Sequence, residues 1–211
     1  MSYVYYINGT TLYYINLTDG KSVEDAIEEM LSSENVNRTN STMKSGLDAW
    51  FKRYMLDYSD YLEDTIFCND RSIKALNGWN ANGGSISSFL QFTGYSSTNL
   101  SCSNITDQFS VSNDKAKLVY KVGLMSNPEM DILGNSNVRK TGQYYWLASP
   151  LYFNYYNGGA AGCDVNSNGN LNFNYVNYAY GVRPAVSLAS GTEYSDGDGS
   201  MEKPYKINSE N

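Results

Sequence analysis

Five asparagines, Asn166, Asn168, Asn170, Asn172 and Asn174, recur at every second position in the last quarter of this 211-residue chain. A strand sends alternate residues to opposite faces. The spacing therefore predicts a half-buried strand with an amide-lined outer surface, and Gly169, Leu171, Phe173 and Tyr175 alternating behind it. Around the run stand Tyr152, Asn154, Tyr155, Tyr156, Asn157, Tyr175, Asn177, Tyr178 and Tyr180. Tyr brings a large ring with few rotors, and Asn brings adaptable donors and acceptors, the pairing that binding loops favour. The chain holds 20 Tyr and 25 Asn overall, which AT-rich coding would also produce. Position separates the two explanations better than composition does. Of the 29 residues from Tyr152 to Tyr180, 14 are Tyr or Asn.

Catalytic chemistry has less to work with. The chain contains no histidine, which removes Ser-His-Asp and Cys-His nucleophiles and any zinc site that needs an imidazole. Three cysteines, Cys68, Cys102 and Cys163, form no CxxC pair, so a redox motif or zinc ribbon is not expected. Cys68 and Cys102 flank a Gly/Ser/Asn-rich stretch, and a disulfide there is favoured over two separate buried thiols. The run Asp196-Gly197-Asp198-Gly199-Ser200-Met201-Glu202 is oxygen-rich but lacks full EF-hand spacing, and reads as an exposed turn. Asp57, Asp60, Glu63 and Asp64 read as a solvated helix end. Gly83-Gly84 and Gly158-Gly159 lack the Lys-Ser/Thr of a P-loop. No cofactor, metal or enzymatic activity is expected.

A net charge of -7 argues against nucleic acid and anionic membranes as partners. No run of 18 apolar residues is present to span a bilayer, and the first residues do not read as a signal peptide. The expectation is either a cytosolic protein or an ectodomain without its leader.

The window 151–182 holds 8 Asn, 6 Tyr and 5 Gly but no Lys, Glu, Gln, Met or Trp. None of those five missing types has a codon ending in a pyrimidine. Randomising the adenines of AAY codons would yield Tyr, Asn, Asp, Ser, Gly, Cys and others, never the missing five. A diversified surface and a fixed Tyr/Asn-rich loop both remain open; either composition suits a paratope.

Elements must hold this segment in place. Val4–Ile7 and Leu12–Leu17 flank Asn8-Gly9-Thr10-Thr11 and predict a hairpin within residues 1–20. Ser22 caps an expected helix with Val23, Ile27, Met30 and Leu31 on its apolar face. A second helix is expected over about 41–57, with Leu47, Trp50, Phe51 and Tyr54 on one side. Residues 77–104 read as a long loop anchored by Trp79, Phe89, Leu90, Phe92 and Tyr95. Strands are expected at 118–124, at 143–148 around Trp146, at 180–188, and at 205–207; Ser126 should cap a short helix through Pro128 and Glu129. The class is α+β, mostly antiparallel, as a single domain over 1–211.

Two motifs flank the segment, Tyr144-Tyr145-Trp146-Leu147-Ala148-Ser149-Pro150 and Gly181-Val182-Arg183-Pro184-Ala185-Val186-Ser187-Leu188. With Phe67-Cys68-Asn69-Asp70-Arg71-Ser72-Ile73 and Pro204-Tyr205-Lys206-Ile207, this ordered set resembles C-type-lectin-like domains over roughly residues 12–207. That family includes variable proteins of diversity-generating retroelements, pilin-anchored surface proteins of Firmicutes and, more distantly, formylglycine-generating enzymes. The resemblance implies paired N- and C-terminal strands, two helices, a long loop region, and a hypervariable ligand surface between Pro150 and Gly181. Trp146 and Leu147 should anchor the core. Arg183, the lone basic residue between Lys140 and Lys203, should be buried against a carboxylate or carbonyls, and Pro184 should limit strand pairing. Calcium-binding Glu-Pro-Asn and Trp-Asn-Asp motifs are missing, and Cys163 alone cannot supply the copper-binding cysteine pair of the enzymes.

The leading expectation is a monomeric, non-catalytic binding and adhesion domain, extracellular, cell-surface or phage-displayed. Its face comprises Tyr152, Asn154, Tyr155, Tyr156, Asn157, Asn166, Asn168, Asn170, Asn172, Asn174, Tyr175, Asn177, Tyr178 and Tyr180, for a protein or glycan ligand. Trp146, Arg183, Cys68 and Cys102 are structural. A pilus or surface-layer subunit is the second reading, and a formylglycine-generating type of enzyme the third.

Overall fold

The structure, a computed structural model, describes residues 3–8, 11–16, 37, 40–80, 83–92, 100–154, 159–200 and 202–207. The helix expected from Ser22 lies outside them. β1 (Tyr3–Asn8) and β2 (Thr11–Asn16) form the expected antiparallel hairpin, with Val4 opposite Ile15 and Ile7 opposite Leu12. α1 (Thr42–Tyr54) starts where the Ser41 side chain accepts the Lys44 amide. Leu47 and Phe51, four residues apart, turn to the same side and are buried; Phe51 stacks on Tyr120 with ring centroids 5.0 Å apart. Burying two such side chains contributes roughly 1.5–3 kcal/mol each. A 3-10 turn, Leu56–Tyr61, follows where a longer α-helix was expected.

β3 (Leu62–Glu63) and β4 (Phe67–Cys68) are short. β5 (Ile73–Asn80) and β6 (Gly83–Phe92) correct the expectation of a loop over 77–104: much of it is an antiparallel pair with two register shifts. Its Gly and Ser content hides the strands from a propensity reading, because backbone pairing rather than β-branched side chains defines them. β7 (Gln108–Phe109) pairs with β4, and Cys68 and Cys102 are joined by a disulfide. Arg71 and Asp107, both almost fully buried, pair beside it: Arg71 Nε donates to Asp107 Oδ1 at 2.6 Å and Arg71 N to Oδ2 at 3.0 Å. The Asp64 carboxylate, expected to be solvated, accepts the Val111 and Ser112 amides at 2.8 and 2.9 Å.

Residues 118–124 form no strand. Leu118, Val122 and Leu124 are buried while Val119 is exposed, and a single bridge joins Gly123 to Ala185. α2 (Asn127–Ile132) has the expected Ser126 cap, completed by Glu129, whose carboxylate accepts the Ser126 amide at 2.6 Å. α3 (Ser136–Arg139) is a single turn.

The main sheet holds β8 (Tyr145–Asn154), β9 (Gly159–Val165) and β10 (Leu171–Tyr175). Its order is β10-β9-β8-β6-β5, and β11 (Gly181–Val182) adds a parallel pair at the start of β8. Pro150 sits inside β8 between two register shifts, where a missing N–H is tolerated. The fold is α+β with mostly antiparallel pairing. β12 (Ser187–Leu188) pairs with β3, and β13 (Tyr194–Asp196) with β14 (Lys206–Ile207). The strand expected over 180–188 is thus two short pieces on either side of Pro184. Among the described residues, β14 pairs with β13 and β1 with β2, not the two termini with each other. One core cluster gathers Met130, Tyr145, Leu147, Leu151, Ala161, Cys163 and Val165 against the sheet; the other gathers Leu47, Phe51, Leu62, Val122 and Leu124 under α1.

Candidate binding face

β9 sets the geometry by alternation. Ala161, Cys163 and Val165 face the core and are buried. Gly162 and Asp164 face the other way. Across the ladder, Asp164 stands opposite Trp146 of β8 and Asn172 of β10, and Gly162 opposite Pro150 and Asn174. A Cβ at Gly162 would lie 3.7 Å from the Trp146 ring, so the indole lies over this glycine. Tyr180 packs on Trp146 at 5.0 Å and on Tyr144 at 4.9 Å, and stacks nearly parallel on Tyr178 at 5.6 Å. The result is a face of four aromatic rings beside three polar side chains.

Asp164 is fully buried, 0% exposed. It accepts Asn174 Nδ2 at 2.8 Å and Asn172 Nδ2 at 3.3 Å. Burial pushes its pKa up, and the two amides pull only partly against that. The Tyr180 hydroxyl is also raised, by loss of solvent and by the Asp164 charge. On the opposite face Tyr152 meets Phe173 and Tyr175 edge-on at 6.5 and 6.4 Å. Burial, with the Tyr175 hydroxyl beside it, pushes the Tyr152 phenol up to about 12.

The five alternating asparagines do not share one strand face. Only Asn172 and Asn174 lie on β10. Asn166, Asn168 and Asn170 form the turn between β9 and β10, where Asn166 Oδ1 accepts the amides of Asn168 and Asn170 at 2.9 and 3.1 Å. Gly169, at φ +85°, closes that turn; a Cβ there would stand 1.9 Å from the Ser136 carbonyl oxygen. Arg139, buried in α3, donates Nε to Gly169 O at 2.9 Å and Nη1 to Met130 O at 2.8 Å. The turn is thus fastened to the frame.

Tyr175, Asn177 and Tyr178 are exposed, Tyr152 and Tyr180 half-buried, and Asn154 ends β8. Tyr155, Tyr156 and Asn157 lie outside the described residues. Leu147 joins the core as expected, whereas Trp146, 8% exposed, is buried on the other face of the sheet, over Gly162 and against Tyr180. Arg183 is not buried: it is exposed, stands 5.6 Å over the Tyr145 ring and donates to its hydroxyl at 3.2 Å. A flat aromatic ring and a phenol oxygen satisfy a guanidinium without the desolvation that burial would demand. Arg139 is the buried arginine of this region. Asp164 escaped the sequence reading, although it is the lone acidic residue between Asp131 and Glu193. Tyr144, Phe173, Arg139 and Gly169 were missed as well.

Asp196 is held by its own turn, accepting Gly197 N at 2.8 Å and pairing with Lys203 at 3.0 Å, which together lower its pKa. Among the described residues no group of three or more Cys, Asp or Glu side chains is placed to hold a metal ion. A cavity of about 160 Å³ lies beside the disulfide, lined by Asp70, Ser126, Glu129 and Ser149 among others. A second, of about 240 Å³, lies between Met43, Leu47, Phe67 and Leu124, where Asn69 Oδ1 is buried without a partner.

A family described as a domain of unknown function (DUF6273) matches residues 24–190, and the chain belongs to it. No curated protein matches the chain, and no solved structure does. Among the described residues no helix is long and apolar enough to cross a membrane.

Proposed function

We propose that this chain is a non-catalytic ligand-binding and display domain with a C-type-lectin-like fold, working outside the cell. Its ligand surface is the outer part of β8–β10 and the turn that follows. One observation carries the reading: Phe173, Tyr175 and Tyr178 are 44, 41 and 51% exposed, the first two on the edge strand β10 opposite the buried Cys163 and Ala161, the third in the turn that follows, stacked on Tyr180. Exposed aromatics held on both sides of a rigid edge strand suit a protein or glycan ligand. The Cys68–Cys102 disulfide supports an oxidising compartment.

The geometry also sorts the segment. Positions free to vary are Tyr175, Asn177 and Tyr178. Asp164, Asn166 and Gly169 belong to the frame, so diversification at those three would cost the fold. The test is a binding screen on protein and glycan arrays with wild type and a Tyr175→Ser/Asn177→Ala/Tyr178→Ser variant. Exposed substitutions shift stability by about 0.5 kcal/mol each. The variant should therefore lose its array signal while melting within a few degrees of wild type. Wild-type binding that survives these changes would place the ligand elsewhere.

A further inference from the structure

The Asp164 cluster points to a particular ligand chemistry. An ionised carboxylate only accepts hydrogen bonds. Both Asn172 and Asn174 turn their Nδ2 groups to it. The two ends of a side-chain amide point apart, so both Oδ1 atoms face away from Asp164. Reversing either amide would set a carbonyl oxygen against the carboxylate, which the burial of Asp164 makes costly. Neither Oδ1 is a buried unpaired atom, and both residues are half-buried at the surface. The face thus presents two fixed acceptor oxygens, two residues apart along one strand, at a Cα separation of about 6.7 Å.

Beside them the Tyr178 ring is covered on one face by Tyr180 and is half exposed. Asn172, Asn174, Tyr144, Tyr178 and Tyr180 are uncharged, and the one charge in the cluster, Asp164, is hidden from solvent. A ligand matched to this surface brings hydroxyl donors, an apolar C–H face for an aromatic ring, and no charge of its own. That combination describes a sugar better than a peptide.

We propose that this face is a carbohydrate subsite for an uncharged glycan. Asn172 and Asn174 accept sugar hydroxyl hydrogens, Tyr178 carries the sugar's C–H face, and Asp164 is a positioning residue that orders both amides. The proposal rests on the reading of the chain as a binding domain and narrows its ligand class.

The test uses a glycan array of neutral and acidic oligosaccharides, followed by titration calorimetry with the neutral oligosaccharides that bind and with their single-hydroxyl epimers. Binding of neutral glycans is expected. Tyr178→Ala and Asn172→Ala should each weaken it about tenfold, a loss of about 1.4 kcal/mol. Asp164→Asn should flatten the preference between epimers, because its amides are then free to reverse; a role in folding alone would leave that preference intact. Should Asp164→Asn fail to fold, the exposed Tyr178→Ala variant decides. Recognition of acidic glycans alone would overturn the proposal, as would neutral binding indifferent to Tyr178→Ala and Asn172→Ala. Binding on the protein array with none on the glycan array would overturn the sugar assignment and leave the binding-domain reading standing. Silence on both arrays would overturn both.

Discussion

Replacing Gly169 by Ala perturbs the point where the asparagine turn meets the helical frame. At φ +85° the new Cβ would stand 1.9 Å from Ser136 O, 2.8 Å from Ser136 C and 3.0 Å from Lys140 N. All three are backbone atoms, so no flexible side chain can yield. The left-handed conformation alone costs an L-residue about 1–2 kcal/mol. Relieving the clash must separate the turn from α3, and that breaks the hydrogen bond from buried Arg139 Nε to Gly169 O. A lost bond to a charged group costs about 1.5–3 kcal/mol. The expected destabilisation is therefore about 3–5 kcal/mol. For a domain of this size each kcal/mol lowers Tm by about 2–4 °C, so a fall of about 6–20 °C is expected by calorimetry. A variant melting within about 3 °C of wild type would refute the claim that the turn is fixed architecture, and would return Asn166 to Asn170 to the set of freely variable positions.

Intact mass of non-reduced protein should be two hydrogens below the three-thiol value, and reduction should cost on the order of 4 kcal/mol in urea unfolding for a 34-residue separation; an unchanged mass would remove the disulfide from the fold. Cys163 is fully buried, and burial with the Asp164 charge pushes its thiol up to about 12, so native protein should be silent to a disulfide-exchange reagent at pH 8 and show one reactive thiol in urea. Asp164 has a pKa raised in the folded state above its ordinary 3.8. Its contribution to stability is therefore greatest below pH 3.8 and is lost as pH rises through the folded value. Asp164→Asn should flatten that part of the stability profile measured by urea midpoint; a profile parallel to wild type would show that the carboxylate does not titrate in this way.

The helix of α1 was legible because Leu47 and Phe51 repeat at helical spacing behind a serine cap, and the Trp146 strand because its apolar run is long. The capping box at Ser126 was readable because its chemistry is local. What escaped depends on contacts distant in sequence. Alternation across Asn166–Asn174 looks like one strand until Gly169 is seen pressed against Ser136, some thirty residues earlier. Arg183 stands out in the sequence as an isolated cation, yet it is Arg139 that the carbonyls of Met130 and Gly169 hold in the interior. Asp164 announces itself by its isolation in sequence, yet its role appears only when β10 brings two amides to it. The strands β5 and β6 were hidden by Gly and Ser, which carry little strand signal.

The proposed binding domain takes its ligand on the β8–β10 surface and not in one of the two cavities. Backbone and indole NMR shifts, recorded while a neutral oligosaccharide selected on the array is titrated in, test it most directly. Saturable shifts are expected at Tyr144, the Trp146 indole, Asn172, Asn174 and Tyr178. Shifts confined to Asp70 and Glu129 beside the disulfide, or to Asn69 and Phe67 in the apolar cavity, would contradict it.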